Sequence, residues 1–122
     1  MITNLENEVW KDFSKDIWRD NEIFKVSNAG RVLRFKYSAR GEFMNLYSLL
    51  GYPVFSCVKK SGKSDLIYVH RAVASLFLEQ DESRVYVIHK NFDKKDNHYS
   101  NLQYVNRKEL TAHNLKNPAV IA

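Results

Sequence analysis

From Arg84 onward the chain reads as a strand (RVYVIH), a twelve-residue polar loop (KNFDKKDNHYSN), a second short strand (LQYV) and then a helix. That order constrains the fold more than any other feature. A loop so dense in Asp and Asn bonds its own backbone and terminates strands, so it cannot be core. The helix that follows has a clear start. Asn106 suits the free amides of the first turn, and Glu109 three residues on completes the N-x-x-E form of a capping box.

The preceding segments supply further strands and a helix. EIFKVS (22–27) and RVLRF (31–35) flank Asn28-Ala29-Gly30, two strands about a tight turn that needs Gly or Asn at positive φ. YPVFSCV (52–58) and DLIYVH (65–70) flank KKSGKS, a second hairpin with a lysine-rich tip. In HRAVASLFL, Val73, Leu76 and Phe77 recur at helical spacing, which places a short helix near His70, lying on the sheet. The class is α+β, small antiparallel ribbons with two or three short helices. At 122 residues, with no repeat or Pro/Gly-rich linker, the expectation is one compact unit over 1–122.

Charge and cysteine content narrow the setting. Hydrophobic residues at 44%, with seven Tyr and seven Phe, supply core material and argue against disorder along most of the chain. A net charge of +5 favours an anionic partner, although a basic balance alone does not name one. Cys57 is the single cysteine, which excludes an intramolecular disulfide and a cysteine-based zinc site and fits a reducing compartment. No segment has the roughly 20 apolar residues of a membrane helix, and MITNLENEVW lacks a signal-peptide pattern. A cytoplasmic location away from the membrane is expected.

Four segments in order, EVWKDF (8–13), FKVSNAGRV (24–32), VHRAVASLF (69–77) and HKNFDKKDNHYSNLQYV (89–105), resemble the HNH homing-type endonucleases of phages and mobile elements. The resemblance runs from about Glu8 to Asn117. It implies an N-terminal modular DNA-binding motif over 8–40 and a ββα, His-Me finger core over 50–117. In that family the ββα unit grips one divalent metal, usually magnesium, and a histidine takes a proton from the attacking water. By resemblance His89 falls on that general base, and Asn101 falls on the central asparagine that holds the histidine by hydrogen bonding. The metal-ligand positions depart from the pattern. Where the family places an acid before the histidine and an Asn or His nine residues after the central Asn, this chain carries Ile88 and Leu110. Neither offers the hard oxygen that magnesium requires. Asp93, Asp96, His98, Glu109 and His113 are the candidate substitute ligands, with magnesium the cofactor if they succeed and none expected otherwise.

Positions that the family uses to follow a DNA backbone keep their charge: Lys25, Arg31, Arg34, Lys36 and Arg40 around the first hairpin, Lys59, Lys60 and Lys63 at the second turn, Arg71, and Lys94, Lys95, Arg107 and Lys108 beside the polar loop. His70 is expected as a buried, hydrogen-bonded packing residue. Three readings stand at this point: a binder of double-stranded DNA, mainly by backbone contact, with nuclease activity lost or weakened; an active metal-dependent nicking endonuclease; and a protein-interaction module on the same scaffold, with a protein partner.

Overall fold

The computed structural model describes residues 3–121. A four-stranded antiparallel sheet comes first, in the order β1 (Trp10–Phe13), β2 (Phe24–Ser27), β3 (Val32–Arg34) and β4 (Glu42–Phe43). A three-stranded sheet follows, β5 (Tyr47–Leu49), β6 (Tyr52–Val58) and β7 (Ser64–Tyr68). Helix α1 (Val69–Phe77) continues directly from β7; then β8 (Tyr86–His89) and β9 (Leu102–Val105) form a two-stranded ribbon that leads into α2 (Arg107–Leu115) and the short α3 (Pro118–Ile121).

Both expected hairpins are present. Val26 pairs with Val32 across the Asn28–Gly30 turn, where Gly30 takes φ +86°, a conformation open to glycine because it lacks a Cβ. Val58 pairs with Ser64 across the lysine-rich turn. The capping box also forms, with Asn106 Oδ1 accepting from the Glu109 amide at 2.8 Å and Glu109 Oε1 accepting from the Asn106 amide at 2.9 Å. β1, β4 and β5 lack an expected counterpart. The residues of β4 and β5 are exposed throughout, so these strands bury no alternate face and carry no period-two signal.

One apolar cluster joins the pieces. Trp18, Phe24 and Val26 meet Phe55, Val69, Val73 and Leu102. The rings stack edge to face from Phe13 to Trp18 at 5.5 Å and from Trp18 to Phe24 at 5.5 Å, and Phe24 reaches Phe55 at 5.1 Å. Ala72 and Ala74 are buried with Val73, and their small side chains let α1 approach the strands closely. Cys57 lies in this cluster. Burial, with the negative charges of Asp65 and Glu22, pushes its thiol up to about 12, so it stays protonated and unreactive. No described helix is long and apolar enough to cross a membrane.

A buried carboxylate ties the first sheet to the second. Glu22 Oε1 accepts from Arg34 Nη2 at 2.7 Å and lies 3.3 Å from Lys36 Nζ, while Oε2 accepts from the Val58 amide at 2.8 Å. Burial alone would raise the Glu22 pKa, but the Arg34 and Val58 bonds outweigh it and hold the group below the usual carboxylate range. Its stabilisation is complete above the unfolded value of 4.5 and is lost as pH falls below it. Glu22→Gln leaves two cations without their counter-charge and should cost about 3 kcal/mol in urea unfolding at pH 7; the loss should shrink toward zero in strong acid.

Candidate active site

The polar loop is organised by its own hydrogen bonds. At the end of β8 the chain turns sharply, with the Phe92 amide donating to His89 O at 3.0 Å and Phe92 at φ +64°. Asn101 Oδ1 accepts from the Asn91 amide at 3.1 Å, and its Nδ2 donates to Asn91 Oδ1 and to Asp96 O, both at 2.9 Å. Asn101 thus staples the loop and makes no bond to the His89 ring. That corrects its expected role. Both N–H groups of its amide are committed within the loop, and the ring is held instead by Asn97, buried at 5% exposure, whose Oδ1 lies 2.6 Å from His89 Nε2.

This bond fixes the state of His89. An amide oxygen only accepts, so Nε2 carries the proton and Nδ1 keeps a free lone pair. Burial lowers the His89 pKa, against the opposing pull of the Asn97 bond and the Asp96 and Asp93 charges, so the ring is neutral at neutral pH. A neutral imidazole with a free lone pair is what a general base requires. His113 closes the other side, its Nε2 donating to His89 O at 3.0 Å and its ring stacked on Phe92 at 4.2 Å.

Beneath His89 lies a second imidazole. His70 sits 4.9 Å from the His89 ring and 5.1 Å from Tyr52, and Tyr68 flanks it at 5.5 Å. It is buried as expected but not hydrogen-bonded as expected: its Nδ1 has no partner among the described residues, because the surrounding groups are rings. Burial, then the neighbouring His89 and Arg71, lowers its pKa to about 4.

The two positions at which the resemblance leads one to expect metal ligands are apolar and face the same small cleft. Ile88 is 8% exposed and Leu110 is half-buried; together with His89, His113, Asn114 and Asn117 they line a space of about 80 Å³. Four of the five candidate substitutes lie outside its walls. Asp93 caps the Lys95 amide, Asp96 binds Asn91, His98 bonds Ser100, and Glu109 is held by Arg84 and its own helix cap. Only His113 lines the cleft, and there it is already bonded to His89 O. Among the described residues no three of His, Cys, Asp and Glu cluster as a metal would need. A hard, oxygen-seeking magnesium ion does not fit this donor set.

The cations divide into two groups. Arg31 forms a paired contact with Glu8, Arg34 and Lys36 are drawn to Glu22, and Lys25 lies 4.0 Å from Asp12. The first three are half-buried internal ties. Arg40, Lys60, Lys63, Arg71, Lys95, Arg107 and Lys108 are exposed, while Lys59 is half-buried. The tip that carries Lys59, Lys60 and Lys63 lies at the opposite end of β6 from Tyr52, which lines the cleft. Lys94, also exposed, reaches over the Tyr52 ring at 4.5 Å.

A brace behind Asn97 escaped the sequence reading. The first hairpin turn presses against the loop so closely that a Cβ on Gly30 would stand 2.8 Å from Asn97 Cβ, and Asn28 O accepts from the Tyr99 amide at 2.8 Å. Asn28 also accepts from the Val9 amide and donates to Asn7 O, which fastens β1 to the same point. The available signal was the S-N-x-G pattern, but its partner loop lies some seventy residues away in the chain.

A ββα unit that ends its first strand on a braced, buried histidine defines a His-Me finger nuclease fold. No family model matches the chain. An uncharacterized HNH endonuclease of Acanthamoeba polyphaga mimivirus is 30% identical over 94 residues, 77% of this chain and 27% of that protein. A solved structure described as DNA binding and cleavage by the HNH homing endonuclease I-HmuI superposes with a TM-score of 0.69 at 28% identity, covering 93% of this chain and 61% of that one. In sequence and in fold the chain is similar to HNH homing-type endonucleases. It spans about a quarter of the viral relative's length and about three fifths of the solved chain's.

His70 sets an acid limit on the fold. With a native pKa near 4 and an unfolded value of 6.5, protonation favours the unfolded chain, so stability is complete above pH 6.5 and declines down to pH 4. The decline should reach about 3 kcal/mol. His70→Phe should flatten most of it between pH 6.5 and 4.5, a window above that of Glu22, in unfolding measured at stepped pH.

Proposed function

We propose that this chain binds double-stranded DNA, mainly through the phosphate backbone, on an HNH scaffold whose metal-dependent hydrolysis is lost or much weakened. The observation that carries this reading is the pair Ile88 and Leu110, apolar side chains lining the cleft beside His89. His89, Asn97 and the stapled loop keep the geometry of a base, but no carboxylate among the described residues lines the cleft to hold magnesium against a scissile phosphate. Support for DNA as the partner comes from the exposed cations Arg40, Arg71, Lys94, Lys95, Arg107 and Lys108, and from the DNA-cleaving protein to which the fold is similar. Backbone contacts of this kind give affinity without sequence specificity.

A second reading, a working nicking enzyme, has one observation in its favour. Asn114 and Asn117 line the cleft with His113 and supply oxygen and nitrogen donors near the neutral His89.

Incubating supercoiled plasmid with the protein in Mg²⁺ and in Mn²⁺, beside His89→Ala, separates the two. The first reading expects closed circles throughout, whereas nicking abolished by His89→Ala overturns it. Restoring donors with Ile88→Asp and Leu110→Asn should bring nicking from nothing in Mg²⁺, and in the second reading would change little. Ile88→Asp should destabilise the metal-free fold by about 2 to 4 kcal/mol, because a carboxylate would replace a buried hydrocarbon.

Binding itself is tested by titrating random-sequence duplex across a salt series. If about five phosphates are neutralised, the affinity should fall with a log–log slope of roughly −4 to −5. An absence of binding at low salt would remove DNA as the partner and leave the protein-interaction reading.

A further inference from the structure

The turn between β5 and β6 carries a side chain that benefits neither the turn nor the core. Leu49 pairs with Tyr52, so Leu50 and Gly51 form a two-residue hairpin loop, and both take positive φ, +55° and +86°. Such a turn favours Asn or Gly at its first position, because a larger side chain crowds the backbone there. Leucine occupies it, and at 80% exposure it is the most exposed of the large hydrophobic residues described. A strained backbone and a solvated hydrocarbon both count against it in the free protein. Such outliers point toward a use.

Its surroundings indicate what that use is. Lys94, from the polar loop, donates from Nζ to Leu50 O at 3.0 Å, lays its Cδ 3.2 Å from the place of a Gly51 Cβ, and holds Nζ 4.5 Å from the Tyr52 ring centre. Tyr52 in turn lies 5.9 Å from His89. The protruding leucine is therefore fixed to the cleft wall through one lysine and one ring. Lys95 follows Lys94 on the same exposed loop. An apolar point beside cations matches a base step, which is apolar between its stacked faces and bordered by phosphates. A second copy of this chain is a poorer match, since it would bring the same lysines together in a chain of net charge +5.

We infer that Leu50 is a wedge that enters the base stack of bound duplex DNA beside the cleft, partly unstacking one step while Lys94 and Lys95 hold the flanking phosphates. Proteins that grip the minor groove use single aliphatic side chains in this way, kinking and unwinding the duplex. The inference rests on the DNA-binding reading above and adds to it a deformation of the DNA.

The test needs no known target site. A closed plasmid is relaxed by a metal-independent type IB topoisomerase in EDTA with rising amounts of the protein, stripped of protein, and its topoisomers are resolved on a gel. The wild type should shift the distribution toward fewer helical turns in proportion to bound protein. Leu50→Asn, which suits the turn and should melt no lower than the wild type, should bind with an unchanged salt slope and lose the shift; Leu50→Phe, still apolar and large, should retain it. A wild type that binds the plasmid without a shift, or a Leu50→Asn that shifts it equally, overturns the wedge while leaving DNA binding intact. Failure of the wild type to bind at any salt removes the DNA-binding reading and the wedge together. A wild-type dimer that becomes monomeric in Leu50→Asn by sedimentation would overturn the wedge in favour of self-association.

Discussion

The contact of the Asn28–Gly30 turn with Asn97 is the constraint on which the rest of this molecule turns. Only a residue without a Cβ leaves room for Asn97 there, and Asn97 in turn bonds the His89 ring. The first hairpin is thus a wall of the histidine site as well as a module beside it. Asn28 strengthens the junction by accepting the Tyr99 amide of the loop while holding β1 through the Val9 amide. Packing then follows from this seam: α1 lies across the strands with Val69 and Val73 buried, and Leu102 brings the last ribbon into the same cluster.

The legible parts of the fold were those written in local chemistry. Asn106 and Glu109 specify a helix start within four residues, and Gly30 specifies a turn within three, so both were visible without partners. β4 and β5 were not, since Glu42–Phe43 and Tyr47–Leu49 are exposed and exist only by pairing with β3 and β6. The same divide runs through the site. His89 and the apolar Ile88 and Leu110 could be placed by resemblance, whereas Asn97 could not be distinguished from the other amides of its loop, because the bond that selects it depends on the shape of the turn. Arg31, Arg34 and Lys36 looked like phosphate contacts in the sequence, but their carboxylate partners, Glu8 and Glu22, lie between twelve and twenty-three residues away in the chain.

The charge pattern that emerges is narrower than composition suggests. Once the internal pairs are set aside, exposed cations stand in the polar loop and in the first turns of α1 and α2, and Lys94 among them lines the cleft. The lysine-rich tip of the second hairpin stands apart, its Lys60 amide bonded to Ile17 O.

The stapled loop has one more consequence. Where an ion organises its own binding loop, metal binding and folding are one equilibrium, and removing the ion unfolds the site. Here Asn101 joins Asn91 to Asp96 and Asn97 joins the loop to His89, so every major turn is satisfied by amides of the chain itself. The loop can therefore hold its shape whether or not an ion lies beside His89, so its folding and any ion binding are separate equilibria.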